Sequence, residues 1–322
     1  MKPGIDVEKK VRLLRERVGE AISLLGTCSI CPRNCGVNRL EGETGVCRVG
    51  REVIVSTASL HHGEEPPISG YCGSGTIFFS SCNLRCVFCQ NYEISQMSHG
   101  DPVTTDELAA MMLALQKKGA HNINLVTPTH FGPQIMEALL KAYERGLSIP
   151  IVYNCGGYDS VEVLKLWDGI IDIYMPDMKY GKEESARKYS SAPDYPRANQ
   201  EAVLEMHRQV GDLRMDEQGI AKRGLLIRHL VLPNGVAGSE EVMRFIAEKV
   251  SRGTYISLMS QYFPQYRADE FPEINRRITR AEYLPVQNLM KKLGLTSGWF
   301  QNVPIDPEVF ALRRFLLGDT DK

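Results

Sequence analysis

The stretch of residues 75–91, GTIFFSSCNLRCVFCQN, decides the fold. It opens on a short β-branched and aromatic run, Thr76 to Ser80, that reads as a strand. Cys82, Cys86 and Cys89 follow directly in the spacing C-x-x-x-C-x-x-C, with no fourth cysteine close behind. Thiolate is the ligand of iron–sulfur sites, and ferredoxin-type clusters close every position with cysteine. Three sulfurs leave one iron of a [4Fe-4S] cluster open, which suits chemistry on a small-molecule ligand better than electron storage. The alternative reading of the same residues is a zinc knuckle, or a reduced cysteine cluster used only for folding.

Outward from that loop, strand and helix signals alternate. The spacing predicts a helix from the capping box Thr104-x-x-Glu107 to Gly119, with Leu108, Met111, Met112 and Leu115 on one face. INLVT follows as a strand, then a helix opened by Pro133 and closed by Gly146. PIVYN, a short helix around Val161 to Trp167, IDIYM, a long loop and a helix around Glu201 to Val210 come next. LLIRHLVL, a helix from Ser239 to Ser251, YISLM and a helix from the capping box Thr279-x-x-Glu282 to Gly294 complete the series. Strand–helix units of this kind predict an α/β fold with a parallel sheet and right-handed crossovers.

The region before residue 70 has a different character. A helix over about Asp6 to Leu25 leads into CSICPRNCGVNRLEGETGVC, which carries Cys28, Cys31, Cys35 and Cys47. Four sulfurs at these spacings suit a closed site, of which zinc and iron–sulfur are the two candidates. A short strand over Glu52 to Ser56 comes next. The join HHGEEPPISG then reads as a solvated linker, with His61, His62, Glu64 and Glu65 as the alternative ligand reading.

Beyond the cysteine spacing, Phe88 stands just before the last cysteine. The segments FFSSCNLRCVFCQNYEISQ, NINLVTPTHF, IPIVYNCGGYDS, DIYMPDMKY and IRHLVLPN follow in order. In these the chain resembles the radical S-adenosylmethionine (SAM) superfamily, and within it the PflX-type homologues of pyruvate formate-lyase activating enzyme. The resemblance covers nearly the whole chain. It implies a partial (β/α)6 TIM-like barrel over residues 66–322 with C-terminal helices. The residues before it read as a small N-terminal helix and cysteine-rich metal module over residues 1–65, which the simplest activating enzymes lack. The resemblance further implies that SAM chelates the open iron, is cleaved by one electron from the cluster, and yields a 5′-deoxyadenosyl radical that takes hydrogen from a substrate. A protein or peptide in the manner of a glycyl-radical activase is the first expectation. A small metabolite or another peptide residue is the second, and a non-enzymatic iron–sulfur or zinc protein the third. A flavodoxin or ferredoxin is the implied reductant.

In a parallel barrel, functional side chains collect at the C-terminal strand ends. Phe88 belongs to the superfamily pattern around the three cysteines. At the second strand end, Thr127, Thr129 and His130 stand where relatives usually carry a Gly-Gly-Glu type contact to the SAM amine. Thr129 or His130 is the expected substitute, against the reading of His130 as an ordinary loop histidine. Asn154 is the candidate for a ribose or methionine contact, and Cys155 reads as a small buried residue. Asp177 and Lys179 match residues that the family places beside SAM, and a two-residue separation puts both on one side of a strand. A surface ion pair is their alternative. Arg228 suits a carboxylate of SAM or substrate.

The chain is long enough, at 322 residues, for one large domain with an appendage. A formal net charge of -1 offers no argument for nucleic acid or an anionic membrane. No apolar run reaches the ~20 residues that span a bilayer, and no secretory signal opens the sequence. Of nine cysteines, seven fall in the two clusters, which argues for metal rather than disulfides. The expectation is a cytoplasmic protein of a reducing, oxygen-poor compartment.

Overall fold

The computed structural model describes residues 5–302. The first helix, α1 (Val7–Ser23), is capped by the Asp6 carboxylate, which accepts from the Lys9 backbone N–H. After the cysteine-rich loop come β1 (Val53–His61), α2 (Pro66–Ser69) and β2 (Ser74–Phe79). Next are α3 (Tyr92–Ser95), β3 (Asp101–Val103), α4 (Thr105–Lys117), β4 (Ile123–Val126), α5 (Gly132–Glu144), β5 (Ile151–Cys155), α6 (Val161–Leu166) and β6 (Ile173–Pro176). The described chain ends with α7 (Glu183–Ser190), α8 (Tyr195–Val210), β7 (Arg214–Met215), β8 (Ala221–Leu230), α9 (Ser239–Phe245), β9 (Tyr255–Met259), α10 (Arg280–Lys292) and β10 (Gly298–Phe300).

The sheet order is β10-β9-β8-β6-β5-β4-β2-β1-β3, with β7 paired to β8. From β2 to β10 the path is parallel, and β1 and β3 extend it antiparallel. This is the predicted α/β fold, in which each predicted strand neighbours the next in sequence, as in a barrel opened along one side. β5, β6 and β9 are buried along their whole length, so they read as continuous apolar runs. β5 is buried throughout, and Tyr153 packs edge-on against Trp167 and Tyr174. Both predicted capping boxes form, at Thr104–Glu107 and Thr279–Glu282.

Three differences from the sequence reading bear on the site. The short strand near Val53 runs on to His61 and pairs with β2, with His61 opposite Ser74. The join that follows is therefore not a solvated linker: Glu65, Pro67, Ile68 and Ser69 are buried. Ile68 packs with Val152, Ile173, Met175, Leu226 and Tyr255, so apolar burial draws the segment under the sheet. The long loop before α8 contains a helix, α7, whose last residue Ser190 reaches the cysteine loop. The helix after β8 widens into a π-type turn at Ile246–Val250. Residues 303–322 of the second predicted domain lie outside the described residues.

Candidate active site

Parallel strands carry their C-terminal ends to one rim, and here that rim closes on a cavity of about 330 Å³. That volume falls in the range of small-molecule sites, about 300–1,000 Å³. Cys82, Cys86 and Cys89 line it after β2, Thr127 after β4, Asn154 within β5, Asp177 and Lys179 after β6, and Arg228 within β8. Eight of the predicted site residues thus meet in one space.

The cysteine loop is held from several sides. Ser81 takes a left-handed turn, φ 68°, which redirects the chain out of β2 into Cys82. The Arg85 and Val87 backbone N–H groups donate to Ser190 and Tyr189 carbonyls of α7. Each sulfur has a polar neighbour: the Leu84 N–H donates to Cys82 Sγ at 3.3 Å, and Ser190 Oγ lies 2.9 Å from Cys86 Sγ. Ser95 Oγ lies 3.0 Å from Cys89 Sγ. Burial pushes the Cys82 thiol up to about 12. Burial likewise raises Cys86, against the pull of the Lys179 ammonium. A cationic centre bound among them would supply the charge that draws these thiols to thiolates.

Opposite the sulfurs stands a chain of charges. Lys179 Nζ lies 2.5 Å from Asp177 Oδ2, and Arg228 Nε donates to Asp177 Oδ1 at 2.8 Å. Arg228 also donates to Asn154 Oδ1 at 2.7 Å. Burial works to raise the Asp177 carboxyl, but Arg228 and Lys179 outweigh it and hold it below the ordinary value. Burial works to lower Lys179, yet Asp177 and Cys86 hold it above its usual range. The pair is therefore part of the cavity wall, not a solvated surface pair.

The remaining predicted residues, Thr129, His130 and Phe88, do not line the cavity. Thr129 is buried and donates to Asp159 at 2.8 Å. His130 is fully buried, with Nε2 2.7 Å from the Ser80 carbonyl, and burial pushes its pKa down to about 3. Both sit in the short 3-10 turn at Thr129–Phe131 that follows β4, and neither lines the cavity. Thr127 alone remains on the wall, at φ 60°, a conformation costly for a β-branched residue. Phe88 is buried edge-on between Tyr180 and Tyr262, where it shapes the loop from behind. Cys155 does line the cavity, but its neighbours are Asp159 and Asp177, and burial raises its thiol well above the ordinary value. Carboxylates beside it disfavour a thiolate, whereas Cys82 and Cys86 face Lys179.

Several supporting residues were not legible in the sequence. Tyr195 Oη donates to the Gly156 carbonyl at 2.8 Å and accepts from the Lys179 N–H at 3.0 Å. Asn199 Nδ2 donates to the Gly157 and Asp177 carbonyls. Together they fix the two strand ends that carry Asn154 and Asp177. Gly157 sits at φ 71°, and a Cβ there would collide with Asn199 Nδ2 and the Asp177 carbonyl. Gly157→Ala is therefore expected to cost roughly 2–4 kcal/mol and loosen the rim, a loss that thermal unfolding would register. Unchanged stability would mean that the backbone there yields freely.

The N-terminal cysteine loop packs onto this site. Arg33 Nε donates to the Asn83 carbonyl at 2.9 Å, beside Cys82, and its guanidinium lies 5.3 Å from the Tyr158 ring centroid. Buried Arg39 donates to the His130 and Gly50 carbonyls. Cys47 neighbours Cys28 and Cys35, and Cys31 neighbours Cys47 and Cys28; burial pushes Cys31 up to about 12. Among the described residues, no three His, Cys, Asp or Glu side chains converge to hold a single metal ion. Thiolates that each bind a different iron need not converge on one point, so Cys82, Cys86 and Cys89, spread around one space, fit a cluster by donor type and placement.

Residues 76–216 match the model of the Radical SAM superfamily. An uncharacterized protein of Methanocaldococcus jannaschii, MJ0674, is 33% identical over 296 residues, which cover 89% of this chain and 80% of that one. A second, MJ0808, is 24% identical over 298 residues, covering 86% and 81%. Among solved structures, the FeFe-hydrogenase maturase HydG from Carboxydothermus hydrogenoformans aligns with a TM-score of 0.47 at 14% identity, over 97% of this chain and 71% of that one. Methylornithine synthase (PylB) aligns with a TM-score of 0.46 at 13% identity, over 98% and 94%. With three cysteines after the first parallel strand and a matching superfamily model over the same strands, the chain belongs to the radical SAM superfamily of enzymes, whose members hold a [4Fe-4S] cluster and bind SAM.

Proposed function

We propose that the chain uses the cavity to cleave SAM reductively and to remove a hydrogen atom from a protein or peptide substrate, as a PflX-type relative of pyruvate formate-lyase activating enzyme. One observation carries this reading: the three sulfurs share a single cavity with Asn154 and the Lys179–Asp177–Arg228 charges. Bound there, the cluster and SAM supply a one-electron cleavage of the sulfonium to methionine and a 5′-deoxyadenosyl radical, the hydrogen-abstracting species. Cys82, Cys86 and Cys89 hold the cluster. Lys179 and Arg228 offer cationic donors to a carboxylate, and Arg228 keeps Asn154 turned toward the space where a ribose or methionine group would lie.

The reductant is a flavodoxin or ferredoxin, and the compartment is cytoplasmic. Among the described residues no helix is long and apolar enough to cross a membrane. The test is anaerobic purification with iron, sulfide and zinc counted, followed by a 5′-deoxyadenosine assay under reduction. Candidate glycyl radical proteins are then added and a new glycyl signal is sought by electron paramagnetic resonance. No product from SAM refutes the reading. Product without a glycyl signal in any pairing moves it to a small metabolite or another peptide residue, a reading that the N-terminal cysteine module supports.

That module, with Cys28, Cys31, Cys35 and Cys47, is proposed to hold a second metal group, zinc or an auxiliary cluster. Cys31→Ser is expected to lower the metal count while the three-cysteine cluster remains. An unchanged stoichiometry would remove the second site.

A further inference from the structure

The floor of the cavity is acidic, and its carboxylates are separate from the roles assigned above to the cysteines, Asn154, Lys179 and Arg228. β1 runs antiparallel to β2, so its C-terminal end lies beside the start of β2, with His61 opposite Ser74. The sulfurs follow the other end of β2, roughly 17 Å along the strand at about 3.3 Å per residue. The chain then turns under the sheet, and His61, Gly63, Glu64 and Glu65 line the same cavity from below. Glu65 is only 5% exposed, and its Oε2 is buried without a hydrogen-bond partner among the described residues. A buried carboxyl oxygen held this way costs stability unless a partner arrives.

None of the neighbouring charges is hydrogen-bonded to Glu65. Arg228 donates to Asp177 and Asn154, and its NH1 lies 3.9 Å from Glu64 Oε2. Lys179 pairs with Asp177. Burial raises the Glu64 carboxyl above its ordinary range, so Glu65 is the carboxylate of the floor left without a direct partner. His61 Nδ1 lies 3.3 Å from Glu64 Oε1, so His61 is directed at Glu64 and not at Glu65. No three ligating side chains converge among the described residues, so an organic cation suits the floor better than a metal ion. The cavity wall near the floor also carries Phe78 and Trp299, apolar surfaces that an alkyl stem could lie along.

We propose that Glu65, backed by Glu64, receives an ammonium or guanidinium group of the substrate at the cavity floor, so that the substrate's cationic end points away from the three sulfurs. This inference rests on the cavity being the substrate site of the proposed reaction. It assigns the substrate class as cationic, such as a lysine or arginine side chain or a free amine.

The test uses anaerobically prepared holoprotein with SAM and no reductant, so that turnover is not required. Butylguanidinium and butylammonium are titrated against neutral butyramide, with binding read by calorimetry. At least one of the two cations is expected to bind saturably, and butyramide weakly or not at all. Glu65→Gln should weaken the cation about tenfold or more while SAM affinity falls by less, and Glu65→Asp should recover part of the loss. Glu217→Gln, on an exposed turn, serves as the surface control. If neither cation saturates, if butyramide binds as well as they do, or if Glu65→Gln loses only SAM, the proposal is overturned. The comparison of cation with butyramide needs no variant, so a poorly folding Glu65→Gln does not blunt it. Absence of 5′-deoxyadenosine under reduction would instead sink the functional reading and leave the cation measurement standing.

Discussion

Cys86→Ala is expected to reduce 5′-deoxyadenosine formation from SAM to background, at least roughly a thousandfold, equivalent to about 4 kcal/mol of barrier. The argument is one of ligand number. Three sulfurs are the fewest that anchor the cluster and leave one position for SAM, so losing one leaves two open positions and a labile cluster. Cys86 is the most closely integrated of the three: Ser190 bonds its sulfur, and Lys179 sits near enough to favour its anion. The fold should survive, because exchanging a buried thiol for a methyl costs roughly 1–2 kcal/mol. Cys72→Ala, away from the cavity, is the matched control. Cys155→Ala discriminates further: retained cleavage would fit a thiol kept protonated between carboxylates, whereas abolition would mean that a fourth sulfur caps the cluster. Full turnover in Cys86→Ala would overturn the assignment.

The parallel strands were legible because burial on both faces writes them as unbroken apolar runs, and the helices because capping boxes and terminal glycines punctuate them. Asp177, Lys179 and Arg228 could be picked out because a charge at the end of an apolar strand is conspicuous. Position along a strand end does not fix where a side chain points, however. Thr129 and His130 stand just past β4 in a 3-10 turn, and neither side chain lines the cavity. The supporting residues left no such mark. Ser190, Tyr195 and Asn199 lie on α7 and α8, far in sequence from the groups they hold, and nothing local distinguishes a serine that bonds a distant sulfur. Glu64 and Glu65 stand among prolines and a glycine and so read first as a solvated linker, with a ligand role only as the alternative. The pairing of β1 with β2 and the burial of Ile68 turn them inward.

Asp177→Asn is expected to destabilise the protein by roughly 3–5 kcal/mol, because removing one partner strands buried charges on the others. The Asp177 side chain is 14% exposed and shares its two oxygens between Lys179 and Arg228. An amide of the same shape can accept one hydrogen bond but cannot balance either cation, and one of its ends then faces the wrong way. Thermal unfolding should show the loss, and SAM affinity should fall about tenfold or more as the wall rearranges. Adding Lys179→Met should restore part of the stability, since the second change removes a charge that the first left unpaired. Strict additivity of the two losses would show that the pair is not coupled. The pH dependence has a definite sign. The folded-state pKa of Asp177 lies below its unfolded value, so the ion pair's contribution is complete above the ordinary carboxylate pKa, about 3.9. It disappears as pH falls through the lower folded value. The stability gap between wild type and Asp177→Asn should therefore be constant near neutrality and close in acid. A gap that widens on acidification would mean that the carboxylate is held protonated, and the cavity wall would then carry a different balance of charge from the one that orients Arg228.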